Sequence, residues 1–376
     1  QQSGRLPCRQ ELPRCAIIDF NSFSQVGDTN RFDRCHGTKW IIKLVSISHC
    51  WLGAHLQPPH PDPEGRLRQA MASLFSKKLD DKNLVQCDDY AVFFAWCSVK
   101  QLRDNPSKDE LDKLQCVLDN MDIFYTHQGI DKWFFTALHS PAAGKYDERG
   151  WTTWEKSVAG LLTDSDSGHE GRLDSHIEHI GDEGTTCPPI VPEEFERLIR
   201  TKRFSEGNDI ETIVKNYERN FVTAIGLVRL FNFSSRGWGD AEMESLAKSL
   251  QHMPKLQFLI LTENRLGDAG AMALTEGLPY CTALRQLNLG GNKIGVAGAK
   301  ALAKGLQRCS ALKNLILSEN EIGDAGAQSL TKVLQHCSAL IVLSLDNNRI
   351  GDAGAQALAG VLHDCPGLTC LFLDQN

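Results

Sequence analysis

The stretch Leu256-Gln-Phe-Leu259-Ile-Leu261-Thr-Glu-Asn264 decides the fold of the C-terminal part of this 376-residue chain. Its pattern, Leu-x-x-Leu-x-Leu-x-x-Asn, returns in steps of 28 residues, starting at Leu284, Leu312, Leu340 and Leu368. A fixed period of this length is typical of a solenoid, because each unit buries its apolar face only by stacking on the next. The pattern predicts a solenoid over residues 228–376. Its first unit is degenerate, with Val228, Phe231, Phe233, Arg236 and Trp238 at the consensus positions.

These units resemble the long leucine-rich repeats of the ribonuclease-inhibitor class, in which each repeat carries a short strand and a helix. Leu259 and Leu261 alternate along the strand and point into the solenoid, while strands of neighbouring repeats pair in parallel. The Asn264 amide can satisfy backbone groups in the turn that follows. The small residues from Gly267 to Ala271 allow the next helix to approach the sheet closely.

A cysteine recurs with the same period, at Cys281, Cys309, Cys337 and Cys365. We expect buried, reduced thiols that act as small hydrophobic residues, with a metal-binding column as the alternative. Free thiols point to a reducing, cytoplasmic compartment. The chain starts at Gln1, which leaves open a targeting segment removed from its N-terminus. The pattern stops at Asn376 within a sixth repeat, so we expect the natural chain to continue.

The residues that alternate with the buried leucines should form an exposed sheet face that binds a protein partner. Several of them are larger and more apolar than solvation alone favours. The predicted partner-binding residues are Phe258, Ile260, Asn288, Ile316, Ser344 and Phe372, on a face that also includes Thr262, Gln286, Asn314, Asp346 and Cys370.

Two segments precede the repeats. Residues 192–227 keep helical spacing, for example at Phe195, Leu198 and Ile199, and predict a helical cap over the first repeat. Residues 163–191 are rich in Asp, Ser, Gly, His and Pro and predict a linker. His176 and His179 within it form only a weak pattern for a metal, and no metal site is predicted.

Residues 40–162 alternate apolar runs with helical stretches, which predicts a small α/β domain with a parallel sheet, preceded by an N-terminal extension over 1–39. The expected strands lie at 41–47, 90–96 and 132–136. The expected helices lie at 67–79, 107–121 and 154–162.

Four motifs follow one another in this segment: Ser48-His49-Cys50-Trp51, Cys97-Ser98-Val99-Lys100-Gln101, Met121-Asp-Ile-Phe124-Tyr125 and Arg149-Gly-Trp151-Thr-Thr-Trp154-Glu155. In this order they resemble the fungal heterokaryon-incompatibility domain and the related Toll/interleukin-receptor-like (TIR) domain. Such a domain joined to leucine-rich repeats is similar to an arrangement in protist proteins, dinoflagellate-like ones in particular. Ala95 departs from the pattern, because relatives often carry Asp there.

The TIR resemblance implies a chemistry for Trp151 and Glu155. In TIR enzymes that cleave NAD, a Trp followed four residues later by Glu opens a helix, and the Glu contacts the nicotinamide ribose. Trp151 and Glu155 have this spacing and would share one helix face. Glu155 is then expected in the first helical turn at the mouth of a cleft, with Trp51 as a second wall that stacks on a ring of NAD. The alternative is that Trp151 is core and Glu155 only stabilises the helix N-terminus.

Composition narrows the function. Forty Lys and Arg against 47 Asp and Glu give a net charge of −7, so no basic field attracts nucleic acid. The longest apolar runs are too short for a membrane helix, and no glycine-rich phosphate loop supports ATP hydrolysis. We predict a scaffold that recruits a protein partner and needs no cofactor. An NAD-cleaving enzyme regulated by the repeats and a purely structural subunit are the alternatives, with NAD as a substrate in the first.

Overall fold

The computed structural model describes residues 31–33, 39–49, 89–94, 107–109, 125, 130–135, 148–161, 177–180, 187–204 and 209–376. The chain divides into two compact units. The first comprises Gln1–Ala159, Ser175–Gly184 and Arg197–Tyr217, and the second Gly160–Asp174, Thr185–Glu196 and Glu218–Asn376. The predicted cap, 192–227, therefore contributes residues to both.

A five-stranded sheet organises the first unit. Four parallel strands stand in the order β3-β2-β4-β5, and β1 pairs antiparallel with the start of β2. The three predicted strands are present, with ends displaced by one or two residues. The strands are β1 (Arg31–Asp33), β2 (Lys39–His49), β3 (Asp89–Phe94), β4 (Ile130–Phe135) and β5 (Ile177–Ile180).

Two of these strands lie outside the predicted α/β segment. β1 lies in the predicted extension and β5 in the predicted linker, so neither segment is wholly irregular. Strands of three or four residues leave no measurable periodicity in a sequence, and pairing with β2 and β4 selects them. His179 lies in β5 and pairs in register with Phe134, while His176 is outside the described residues.

The helix that carries the candidate catalytic residues, α1 (Gly150–Ala159), begins four residues earlier than predicted. The Arg149 carbonyl accepts hydrogen bonds from the Thr153 amide at 3.1 Å and the Thr153 hydroxyl at 2.7 Å. A Cβ on Gly150 would lie 1.9 Å from Cζ of Phe204, so the ring can pack there only against glycine. Neither contact is visible in a local sequence pattern.

Two helices occupy the predicted cap, α2 (Pro192–Ile199) and α3 (Asp209–Ile225). Within the second unit, Ser249 donates a hydrogen bond to the Pro189 carbonyl at 2.7 Å. Glu194 forms an ion pair with Lys248, and the Phe221 ring meets the His252 ring edge to face. These contacts reach the helix of the first repeat. A capping role for 192–227 remains a prediction.

The repeats form a six-stranded parallel sheet in sequence order, each strand followed by a helix. Equivalent residues 28 apart pair in register, as Leu259 does with Leu287. The elements are β6 (Leu230–Asn232), α4 (Asp240–Leu250), β7 (Phe258–Ile260), α5 (Asp268–Gly277), β8 (Gln286–Asn288), α6 (Val296–Gly305), β9 (Asn314–Ile316), α7 (Gly323–His336), β10 (Val342–Ser344), α8 (Asp352–Ala359) and β11 (Cys370–Phe372).

The asparagines form the predicted ladder. The Asn292 amide donates to the carbonyls of Leu261 at 3.0 Å and Leu289 at 2.9 Å, and its oxygen accepts from the Leu266 amide at 3.1 Å. Asn264, Asn320, Asn348 and Asn376 make the equivalent bonds. Each side chain thus satisfies backbone groups of two successive repeats, which would otherwise be buried without partners.

Aspartates form a second link between repeats. Oδ1 of Asp268 accepts hydrogen bonds from the amides of Gly295 at 2.8 Å and Gly298 at 2.7 Å, at the start of α6. Asp240 and Asp324 do the same for the next helix along. A glycine precedes each of these helices and offers no side-chain cap, so the carboxylate of the preceding repeat caps it.

One repeat lacks this cap because Val296 stands where the others carry Asp. The amide of Gly323 bonds to the Asn348 carbonyl at 2.9 Å instead. Gly323 adopts φ +60°, a left-handed conformation that glycine accepts without strain.

We expect Asp268→Ala to lower the free energy of unfolding by about 1–2 kcal/mol, since two amides at a helix start lose their acceptor. Val296→Asp should raise it by up to about 1 kcal/mol by supplying the missing cap. Urea denaturation measures both. Val296→Ala is the matched control, because Val296 occupies the same slot and caps no helix. A loss at Val296 as large as at Asp268 would contradict an inter-repeat cap.

Candidate functional site: the open face of the repeat sheet

The residues on either side of each central strand leucine form an open face. Phe258, Ile260, Asn288 and Ile316 are half-buried there, and Phe372 is 44 % exposed. Their role in binding a partner stays a prediction.

Ser344 departs from this expectation because it is only 8 % exposed. It pairs in register between Ile316 and Phe372, whose larger side chains flank it. Its hydroxyl donates to Oδ2 of Asp346 at 2.6 Å. A small residue between large neighbours keeps little surface of its own.

Strand register arranges the face into rows that cross the sheet. One row contains the residue that follows the central residue of each strand, and we call it the central row. Polar and apolar residues alternate in it from strand to strand. Apolar side chains therefore recur on every second strand. The central row consists of Asn232, Ile260, Asn288, Ile316, Ser344 and Phe372.

Two asparagines of the central row have fixed orientations. Oδ1 of Asn288 accepts a hydrogen bond from the Gly290 amide at 3.0 Å. Oδ1 of Asn232 accepts from the amide of Ser234 at 3.2 Å and its hydroxyl at 2.8 Å. A backbone N–H can only donate, so the oxygen of each asparagine must face its own loop. Both side chains thus keep their Nδ2 hydrogens for another acceptor.

Charges of opposite sign border the face. Arg229, Arg285 and Lys313 immediately precede their strands and are exposed. Four acidic residues follow the strands on the other side: Glu263, Glu319, Asp346 and Asp374. The next basic residues, such as Arg265 and Arg349, come after the buried asparagines, and Arg349 lies 3.5 Å from Glu321. These charged residues were not among the predicted binding residues, although their positions follow from the 28-residue register.

The cysteine column lies on the opposite, buried side of the repeats. All four thiols are free, and Sγ of Cys309 donates to the Leu278 carbonyl at 3.5 Å, with equivalent bonds at the other three. Burial, and secondarily the neighbouring thiol, raises the pKa of Cys281 and of Cys309 to about 12. Burial raises the pKa of Cys337 to about 11. The prediction of free, buried thiols is confirmed.

Among the cysteines in the described ranges, native alkylation at pH 8 should modify Cys187 and Cys370 first, since Cys187 is exposed and Cys370 is only half-buried. The four column thiols should react only after unfolding, because the thiolate is the nucleophile and their raised pKa values keep them neutral. Mass spectrometry of peptides with and without denaturant measures this. In denaturant, all four column thiols should be modified without prior reduction. A disulfide among them would contradict the packing.

A family model described as leucine-rich repeat matches residues 252–274, 280–303, 308–330 and 336–359. Residues 252–359 therefore carry four leucine-rich repeats. Among solved structures, the actin-binding site 2 of leiomodin-1 is similar over 39 % of this chain and 88 % of that one, at 14 % identity and a TM-score of 0.31. No curated protein matches the chain in sequence.

The leucine-rich-repeat match does not extend to residues 40–162, so their likeness to incompatibility and TIR domains stays a prediction. The ribonuclease-inhibitor class likewise stays a resemblance. None of the helices in the described ranges is both long enough and apolar enough to cross a membrane.

Upstream of the leucine-rich repeats, the structure brings Trp151, Trp154, Glu155 and Tyr125 together. The Tyr125 hydroxyl donates to Oε1 of Glu155 at 2.8 Å, and the Trp154 ring meets those of Tyr125 and Trp151 edge to face. Glu155 is 6 % exposed and is the sixth residue of α1. Its expected first-turn position is therefore wrong, because the helix begins earlier. Trp51 lies outside the described residues.

Glu155→Ala should lower the free energy of unfolding by about 1–3 kcal/mol, because it leaves the buried Tyr125 hydroxyl without its acceptor. Tyr125→Phe and the double variant of Tyr125→Phe with Glu155→Ala complete a cycle in thermal or urea denaturation. We expect the double variant to lose less than the two single losses added together, since both singles break one hydrogen bond. Strict additivity would show that the two groups do not interact.

Proposed function

We propose that this chain is a scaffold that recruits a protein partner through the open face of its leucine-rich repeats. Repeats of this kind generally mediate protein–protein interaction. The observation that carries the proposal is the recurrence of Ile260, Ile316 and Phe372 on an accessible face. Water-accessible apolar side chains in one row are typical of a binding surface.

The construction of the face supports binding. Its side chains stand on strands whose central residues are fully buried from β6 to β10, and whose turns are held by the asparagine ladder. A rigid surface loses little conformational entropy when a partner docks. The basic and acidic edges favour one orientation of that partner and accelerate its approach, since charge complementarity acts mainly on specificity and association rate.

The alternative of NAD cleavage receives no specific support from the described residues. Glu155 is nearly buried and accepts a hydrogen bond from Tyr125, whereas a carboxylate that contacts a ribose needs an open approach. A binding function is therefore the one we put forward.

The double variant Ile260→Glu and Ile316→Glu should lose the partner that the wild-type chain retains from an extract of its own cells. The two introduced carboxylates would be buried in the interface without partners, so the affinity for the partner should fall about a hundredfold or more. Immobilised wild-type and variant chains, compared by quantitative mass spectrometry, measure the difference.

The control is the double variant Met272→Glu and Val296→Glu. Both residues are exposed and apolar but belong to the helices, at 53 % and 45 % exposure. This variant should retain the partner. Equal loss in both variants, or retention in both, would place the interface elsewhere or remove it.

A further inference from the structure

The spacing of the central row selects a type of partner chain. Neighbouring strands stand about 4.8 Å apart, so Ile260, Ile316 and Phe372 recur about every 9.6 Å. A polyproline II helix returns to the same face every three residues, or about 9.3 Å. An α-helix does so after seven residues, or about 10.5 Å. A β-strand repeats its face at about 6.7 Å and about 13.4 Å, neither of which matches.

The hydrogen-bonding groups of the face point the same way. Asn288 lies between Ile260 and Ile316 and offers Nδ2 hydrogens, because its oxygen is already bonded to the Gly290 amide. Asn232 is bound in the same way. Gln286 accepts from Asn314 at 3.3 Å through Oε1 and keeps its Nε2 donors. A polyproline II backbone has no internal hydrogen bonds, and proline contributes carbonyls without N–H groups. An α-helix satisfies its carbonyls internally and would leave these donors unused.

The charged edges complete the match. With three residues per turn, the two residues between successive apolar contacts project to opposite sides of the row. One side meets Arg229, Arg285 and Lys313. An acidic residue in every triplet would reach this basic edge, and proline would suit the remaining position.

We propose that the open face binds a proline-rich segment in the polyproline II conformation, with an apolar residue at every third position and an acidic residue in each triplet. This inference rests on the proposed function of the same face and names the chemistry of its partner.

The test measures binding of the full chain to synthetic peptides by fluorescence anisotropy. The probe is four Leu-Glu-Pro triplets. Its controls are a peptide of the same composition with irregularly spaced leucines, and a proline-free peptide with leucines at helical spacing. We expect the triplet peptide to bind at least about tenfold more tightly than either control.

A matched pair of variants tests the donor. Asn288→Asp keeps the acceptor for the Gly290 amide but replaces the Nδ2 donor with a second oxygen. Ser318→Asp adds the same charge one strand away, in a slot that Asp346 and Asp374 occupy in other repeats. Affinity for the triplet peptide should fall about tenfold or more in Asn288→Asp and stay within about twofold in Ser318→Asp.

Three results would overturn the inference: equal binding of the irregular peptide, tighter binding of the helical peptide, or equal losses in the two aspartate variants. If no peptide binds while Ile260→Glu and Ile316→Glu still abolish partner retention, the scaffold function stands and the polyproline II partner is wrong. If partner retention also survives those two substitutions, the proposed function itself is wrong.

Discussion

The asparagine ladder is the interaction on which the rest of the repeat structure depends. Each strand is only three residues long, and the chain must turn immediately after it. The asparagine side chain bonds to backbone groups of its own turn and of the neighbouring repeat. Without it, buried carbonyls and amides would lack hydrogen-bond partners, and the short strands could not offset that loss of free energy. Asn292 meets this need for its own repeat and for the one before it. The 28-residue register of the sheet, and so every row on its open face, follows from this bond.

The helices show what happens when one inter-repeat link varies while the ladder stays constant. Where a helix carries an aspartate at its start, that carboxylate caps the first amides of the helix in the next repeat, as Asp268 does for α6. Where Val296 replaces it, α7 begins at Gly323 with a left-handed glycine and a backbone bond to Asn348. The strand pairing on both sides is unchanged. Sheet register and helix capping are therefore separate constraints, and only the first determines the rows of the open face.

The two sides of the sheet are subject to different constraints. On the buried side, leucines and neutral thiols such as Cys309 pack against the helices and are held by geometry. On the open side, the strand register fixes only the distance between equivalent side chains, and the residue type varies from repeat to repeat. Ile260, Asn288 and Ile316 differ although their backbones are equivalent. Such variation at positions of constant backbone is what allows a repeat surface to be specific for one partner.

The sequence by itself determined the repeats, their parallel register, the ladder and the buried cysteines. These features follow from residues that recur with a fixed period, and such a period can be read from the sequence without knowledge of the fold. It also predicted the larger strands of the first unit from their apolar runs. Only the tertiary structure decided the rest. β1 and β5 are too short to show a pattern and exist because β2 and β4 offer edges to pair with. Helix α1 begins at Gly150, where the amide donates to the Arg203 carbonyl and Phe204 packs in the place of a side chain, and both partners are distant in sequence. Glu155 turns to Tyr125, and Ser344 is covered by its neighbours, because contacts between residues far apart in the chain leave no trace in local spacing.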